Sequence, residues 1–206
     1  MIFAQQTGQI PVQKLLHLEV IVFLLLNKVF LMGVCVMHLK TKRLLIREFE
    51  FKDWQDVYEY TSDINVMKYI PEGVFTEEDA KEFVNNNKGD NAENFPVVLT
   101  DEDILIGHIV FYRYFGEHTY EIGWVFNPKY QNKGYASEAA QAILEYGFRE
   151  LNLHRIIATC QPENIPSYRV MEKIGMRREG FFKKCIPKVN EWWDEYYYAI
   201  LKEEFK

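Results

Sequence analysis

Cysteine is scarce in this chain, and its three copies, Cys35, Cys160 and Cys185, are scattered with no Cys-x-x-Cys pair among them. Such a set suggests neither a disulfide framework nor a zinc site. The five histidines form no His-Glu-x-x-His pattern, so the sequence offers no metal-ligand spacing. The chain therefore reads as reduced, cytoplasmic and metal-free. An excess of positive charge is also missing: 24 Lys and Arg stand against 30 Asp and Glu, a formal net charge of −6. Bulk nucleic-acid binding needs a basic footprint, and this balance argues against one. Weak acidity is compatible with cationic partners such as amines, and equally with plain solubility.

What is present suits one domain plus an appendage: 206 residues, 48% apolar and 16% aromatic, with 26% charged. The appendage is residues 1–37, whose formal charges are Lys14, Glu19 and Lys28 alone. Val20 to Met37 is apolar except for Asn27 and Lys28. That length is at the lower limit for a membrane span, and Lys28 would sit near the bilayer centre at a cost. A signal peptide fits poorly, because no basic region leads into the apolar run. The preferred reading is that translation starts at Met37; a membrane anchor and a functional leader are the alternatives.

From residue 38 the text is patterned and globular. Arg43–Phe49 reads as a strand, Asp53–Tyr60 and Asp63–Tyr69 as short helices, and Thr76 as the cap of a third helix whose first turn is acidic. Asn85–Asn94 is a loop. Strands are expected at Phe95–Thr100, Ile104–Tyr114, with Gly107 a candidate bulge, and Tyr120–Phe126. A helix over Gly134–Leu151 follows, then an interior strand at His154–Cys160. A helix over Asn164–Ile174 is stopped by Gly175, and two strands, Gly180–Ile186 and Trp192–Leu201, close the chain. The order is mixed α/β (α+β), with about seven strands flanked by helices. It contains no internal repeat.

The most informative stretch runs from Glu121 to Ala136. A strand ends at Asn127-Pro128, a short loop follows, and a helix opens on Gly134-Tyr135-Ala136. The first amides of a helix lack intrahelical acceptors and sit at its positive end, so small residues there make an anion site. Lys133 adds charge. Close helix–sheet packing explains the same small residues.

This segment, Gln131-Asn132-Lys133-Gly134-Tyr135-Ala136, resembles the acyl-CoA loop of the GNAT acetyltransferase superfamily, whose pattern is Gln/Arg-x-x-Gly-x-Gly/Ala. Asn164-Ile-Pro-Ser167-Tyr-Arg-Val-Met171-Glu-Lys resembles the helix that this family places beside the pantetheine arm. The likeness covers roughly Leu39 to Phe205 and is nearest to the RimJ/RimL-like branch of ribosomal-protein N-terminal acetyltransferases. It implies acetyl-CoA as co-substrate and an amine as acceptor: a protein N-terminal α-amine first, a polyamine or aminoglycoside second. A non-catalytic acyl-CoA-binding domain is the third reading. A homodimer is compatible with it. The resemblance also implies a mostly antiparallel sheet that splays at the acyl-CoA site, where main-chain groups near Trp124, Val125 and Phe126 take the pantetheine amide as an added strand.

Acetyl transfer needs a neutral amine, a polarised thioester carbonyl and a protonated departing thiol. Glu121, on the strand leading to the loop, is the candidate proton acceptor, with Glu117 second; an ordinary strand or turn carboxylate is the alternative for each. Many family members carry an acidic tyrosine where this chain has Met171. Ser167 stands where the RimL-like branch has a serine near the sulfur, and it competes with the reading of a helix serine bonded to its own backbone. Asn164 is expected to bond the pantetheine, to cap the helix, or both. Trp54, Tyr58, Tyr69 and Phe75 come from the region where the family builds its acceptor pocket; one or two of them are expected to touch substrate. Trp192-Trp193-Asp-Glu195-Tyr-Tyr-Tyr198 reads as a core strand with alternating faces, and nothing in it points to a role beside the acceptor pocket.

Overall fold

The computed structural model describes residues 37–188 and 191–206; the reading of the extension at 1–36 lies outside them. Met37 is buried in the main core, so the globular part includes it. In chain order the elements are β1 (Leu39–Lys40), β2 (Leu44–Ile46), α1 (Trp54–Thr61), α2 (Glu77–Asn86), β3 (Asn94–Leu99), β4 (Ile104–Arg113), β5 (Thr119–Phe126), α3 (Tyr135–Arg149), β6 (Arg155–Cys160), α4 (Ile165–Lys173), β7 (Arg177–Lys188) and β8 (Glu191–Leu201). The strands form one sheet in the order β1-β2-β3-β4-β5-β6-β8-β7. Every neighbouring pair is antiparallel except β5 and β6. The sheet has eight strands rather than about seven, because the two-residue β1 pairs with β2 through the Thr41 turn.

One face of the sheet carries α3 and α4, the other α1 and α2. Ala139, Ala140, Ile143, Leu144, Gly147 and Phe148 of α3 recur at helical spacing and are all buried. They meet Ile106, Ile122, Ile156 and Ile200 of the sheet in the main cluster. Each such fully buried Ile or Leu contributes roughly 1.5–3 kcal/mol. A methyl group built on Gly147 would stand 2.8 Å from Ile156 Cδ1, so the glycine is what lets the helix seat on β6. The second cluster, under α1 and α2, gathers Val57, Tyr60, Ala80, Val84, Val98, Leu105 and Val125.

Caps fix the ends. Thr76 accepts from the Asp79 amide and Asp79 returns the bond to the Thr76 amide. After α4, Gly175 has φ +89°. Its amide donates to the Glu172 carbonyl and the Met176 amide to the Met171 carbonyl, the paired closure that a left-handed glycine permits. Two expected elements are shorter than their pattern. The strand expected at 43–49 stops at Ile46, where Arg47 turns to grip the buried Asp53 at 2.7 and 3.0 Å. The helix expected over 63–69 is a 3-10 turn at Met67–Tyr69, because the Asp63 side chain takes the Asn65 amide at 2.8 Å and offers the backbone a competing bond.

Candidate active site

β5 and β6 pair from Thr119–Arg155 to Glu121–Ile157 and no further, although β5 runs on to Phe126 and β6 to Cys160. The sheet therefore opens into a cleft beyond Glu121. The Asn127 amide donates to the Ile106 carbonyl at 2.9 Å. Alternation along an antiparallel ladder then aims the main-chain groups of Trp124 and Phe126 into the cleft and those of Val125 at β4. Val125 contributes a buried side chain to the second cluster instead. Gln131 Nε2 donates to the Phe126 carbonyl at 3.1 Å, tying the loop back to the strand. A bulge at Ile106 shifts the β3–β4 register between Val97 and Val98. Next to it, a Cβ on Gly107 would fall 2.4 Å from the Val125 carbonyl oxygen, so this glycine allows the mouth of β5 to close on β4.

At the head of the cleft, Asn127 accepts from the Lys129 amide and starts a 3-10 turn over Pro128–Tyr130. Asn132 and Gly134 both take left-handed φ, +59° and +81°. The first bond outward from the helix start runs from the Glu138 amide to the Gly134 carbonyl at 3.0 Å. The amides of Tyr135, Ala136 and Ser137 therefore have no intrahelical acceptor and lie at the positive end of α3. Gln131, Asn132 and Lys133 are exposed around them. This geometry suits a phosphate.

Below the loop, on the α1–α2 face, lies a floor of side chains from four strands. Glu121 is half-buried. The Tyr112 hydroxyl donates to its Oε2 at 2.6 Å and the Thr159 hydroxyl to its Oε1 at 3.0 Å. Burial, the bond to Glu121 and the Glu121 charge hold the Tyr112 proton far more firmly than usual. Glu195 faces the same hydroxyl of Thr159: burial raises its carboxyl above the usual range, the Thr159 hydrogen bond works against that, and the neighbouring Glu121 charge adds to it. The floor thus sets two carboxylates about one threonine hydroxyl, whose single proton goes to Glu121. Sequence reasoning found Glu121 and missed Tyr112, Thr159 and Glu195. The available signal was strand parity: β8 alternates, and Trp193, Glu195 and Tyr197 share a face opposite to the core residues Tyr196, Tyr198 and Ile200. Glu117 is exposed in the β4–β5 turn, away from this floor.

The helix after β6 brings up the remaining candidates. Asn164 sits at the cap position of α4 without a side-chain capping bond; its carbonyl, not its amide group, receives the Ser167 amide at 3.0 Å. The half-buried Ser167 hydroxyl bonds the Cys160 thiol, whose pKa burial pushes up to about 12 against that hydrogen bond. A thiol so held is a poor nucleophile. Met171, at the position of the missing tyrosine, is buried in the main core.

Of the early aromatics, Trp54, Tyr58 and Phe75 pack against the second cluster, and Lys81 lies 4.5 Å over the Trp54 ring. Tyr69 alone reaches the far strands, edge-on to Trp193 at 6.4 Å. Lys188 lies 3.5 Å over the same indole and donates to the Lys68 carbonyl. The expectation of a core strand at 192–198 therefore needs correction at one end. Trp192 is 58% exposed, and Trp193 is half-buried on the floor's face, packed between Tyr69 and Lys188.

Among the described residues, no group of three or more His, Cys, Asp and Glu could hold a metal ion, and no helix is long and apolar enough to cross a membrane. Residues 43–177 match the family model of the acetyltransferase (GNAT) domain. The chain is 89% identical, over 82% of its length and 99% of the relative's, to the uncharacterized N-acetyltransferase YnaD of Bacillus subtilis (strain 168). Its fold superposes with a TM-score of 0.80 and 78% identity on an acetyltransferase (GNAT family) from Bacillus anthracis, covering 82% of this chain and all of that one. With a TM-score of 0.69 and 25% identity it also matches spermidine N-acetyltransferase from Vibrio cholerae in complex with CoA and spermine, over 80% of this chain and 98% of that one. A splayed sheet, a glycine-led helix start beside the splay and these matches converge: the chain belongs to the GNAT family and is an N-acetyltransferase.

Proposed function

We propose that this enzyme transfers the acetyl group of acetyl-CoA to a protein N-terminal α-amine in the cytoplasm, with Glu121 taking the proton of the amine. The observation that carries the reading is the place of Glu121. It is the last β5 residue paired with β6, at the apex of the cleft, with both oxygens hydrogen-bonded and fixed. The diphosphate would rest on the free amides of Tyr135, Ala136 and Ser137, with Gln131, Asn132 and Lys133 around it. The pantetheine amide would pair with the main chain of Trp124 and Phe126 and meet the side chain of Asn164. Ser167, at the Cys160 end of the cleft, would stabilise the departing thiolate by donating a hydrogen bond to the sulfur while keeping its own proton. An α-amine of ordinary pKa ~8 keeps roughly a tenth of its molecules neutral at pH 7, against far fewer for a lysine near ~10.4, so one carboxylate suffices as proton acceptor.

A second reading, acetylation of a small polycation, is favoured by one feature. Glu195 adds a second carboxylate beside Glu121, with the rings of Trp193 and Tyr197 on the same face. Aromatic faces and carboxylates together suit ammonium groups, and the Vibrio cholerae relative holds spermine. The deciding experiment is thiol release from acetyl-CoA by the full chain against peptides with varied N-termini, spermidine and aminoglycosides. The α-amine reading expects peptides to give the highest kcat/KM. Preference for spermidine replaces it with the second reading, and CoA binding without transfer to any amine sinks both.

A further inference from the structure

Glu138 lies in the first turn of α3, where the free amides are. A carboxylate there steadies an isolated helix, but it repels an anion bound at the same amides. In this protein it is fully engaged. Its Oε1 receives the Thr41 hydroxyl at 2.7 Å and the Arg43 amide at 3.0 Å. Its Oε2 receives Arg43 Nε at 2.7 Å and Nη2 at 2.6 Å. Burial opposes the charge on Glu138, yet the bonds from Thr41 and Arg43 outweigh it and hold the carboxyl below its ordinary range. Arg43 also donates Nη1 to the Lys133 carbonyl at 3.1 Å, and its guanidinium covers the Tyr135 ring at 4.4 Å. Three of its five donors are thus spent inside the clasp.

We infer that Arg43 is a positioning residue for the CoA diphosphate: it cancels the Glu138 charge beside the helix start and turns the Lys133 carbonyl out of the anion's path. The inference rests on the proposal that this loop holds CoA. Two features make the clasp more than a surface ion pair. It joins β1–β2 to a loop whose next residue, Gly134, has left-handed φ. It also leaves no acceptor oxygen of Glu138 without a donor. An unpaired carboxylate in the same helix turn would repel the diphosphate, and solvent screening at this half-exposed site keeps the expected loss to roughly tenfold in affinity.

The test is calorimetric binding of CoA to the full chain as wild type, Arg43→Ala, Glu138→Gln and the double variant, with acetyl transfer measured from both acetyl-CoA and acetyl-pantetheine. Arg43→Ala is expected to weaken CoA about tenfold, and the double variant to regain binding within about threefold of wild type by removing the charge that Arg43 neutralises. The rate from acetyl-pantetheine, which has no diphosphate, is expected to move less than about twofold, whereas a merely structural role would lower both rates together. A double variant as weak as Arg43→Ala overturns the inference, because cancelling the Glu138 charge would then not be what Arg43 contributes. So does a parallel fall with both donors. Should Arg43→Ala not fold, Arg43→Gln carries the same expectation of rescue. Failure of the wild type to bind CoA at all overturns the underlying reading of the loop and is seen separately.

Discussion

The two sides of the cleft are made of different material. The loop side is main chain from one continuous segment, 124–137, whose amides are aimed by the φ of Asn132 and Gly134. The floor is side chains, Tyr112, Glu121, Thr159 and Glu195, brought together from β4, β5, β6 and β8. A main-chain site tolerates exchange of most of its side chains and fails where a dihedral angle is disturbed. A side-chain site fails at one atom. On the proposed reading the loop serves the acyl-CoA and the floor meets the amine, so the first should govern cofactor affinity and the second the rate and the choice of acceptor.

The sharpest break of that division is Glu121→Gln. The amide keeps the shape of the carboxylate and loses the proton acceptor. A general base contributes on the order of 10²- to 10⁴-fold, so kcat/KM for the amine should fall by that range while CoA affinity stays within about twofold. A loss below about tenfold, measured by thiol release, would remove Glu121 from the chemistry.

That contrast also explains how much was legible in the sequence. The loop was readable because its evidence is contiguous: Asn127-Pro128 ends a strand, Gly134 begins a helix, and Gln131 stands at a fixed spacing between them. Helix ends were readable for the same reason, as Thr76 with Asp79 and Gly175 show. The floor was not, because Glu195 and Thr159 become neighbours only through the β6–β8 register, and register is absent from any one strand's text. Parity alone separates Val125, whose main chain belongs to β4, from Trp124 and Phe126. Asp63 and Arg47 redirected the backbone through side-chain bonds that hydrophobic period does not register.

His108 shows that a titratable group on the floor's face of the sheet need not belong to the floor. It lies under α1 and α2, with Nδ1 2.7 Å from the Tyr60 hydroxyl, and burial lowers its pKa from 6.5 to about 3. The unfolded chain therefore takes up a proton below pH 6.5 that the native state refuses. Stability from this group is fully present above 6.5 and is lost toward pH 3, at about 1.4 kcal/mol per pH unit. Chemical denaturation between pH 6.5 and 4.5 should show this slope, and His108→Gln should flatten it. An unchanged slope would mean that the ring carries its proton in the fold.

On the loop side, Gly134→Ala tests the dihedral argument. Alanine at φ +81° costs roughly 1–2 kcal/mol in the left-handed region. The expected result is CoA binding weakened by up to about tenfold and an unchanged KM for the amine. A rise in amine KM with intact CoA binding would reverse the assignment of the two sides.

The smallest effect is expected at Glu195, and it separates the acceptors. Its carboxyl titrates above the ordinary range, so as pH falls Glu195 becomes neutral before ordinary carboxylates do. Below its pKa the floor lacks the charge of Glu195; above it, that charge faces the ammonium. If the second carboxylate touches the acceptor, KM for a polyamine should fall by roughly threefold as pH rises through that range, consistent with an exposed ion pair worth up to about 1 kcal/mol. Glu195→Gln should erase the dependence and leave kcat nearly unchanged. A peptide amine with one positive charge is already served by Glu121 and should show little of it. Equal pH responses for peptide and polyamine, both insensitive to Glu195→Gln, would assign Glu195 to the wall of the site rather than to the recognition of its substrate.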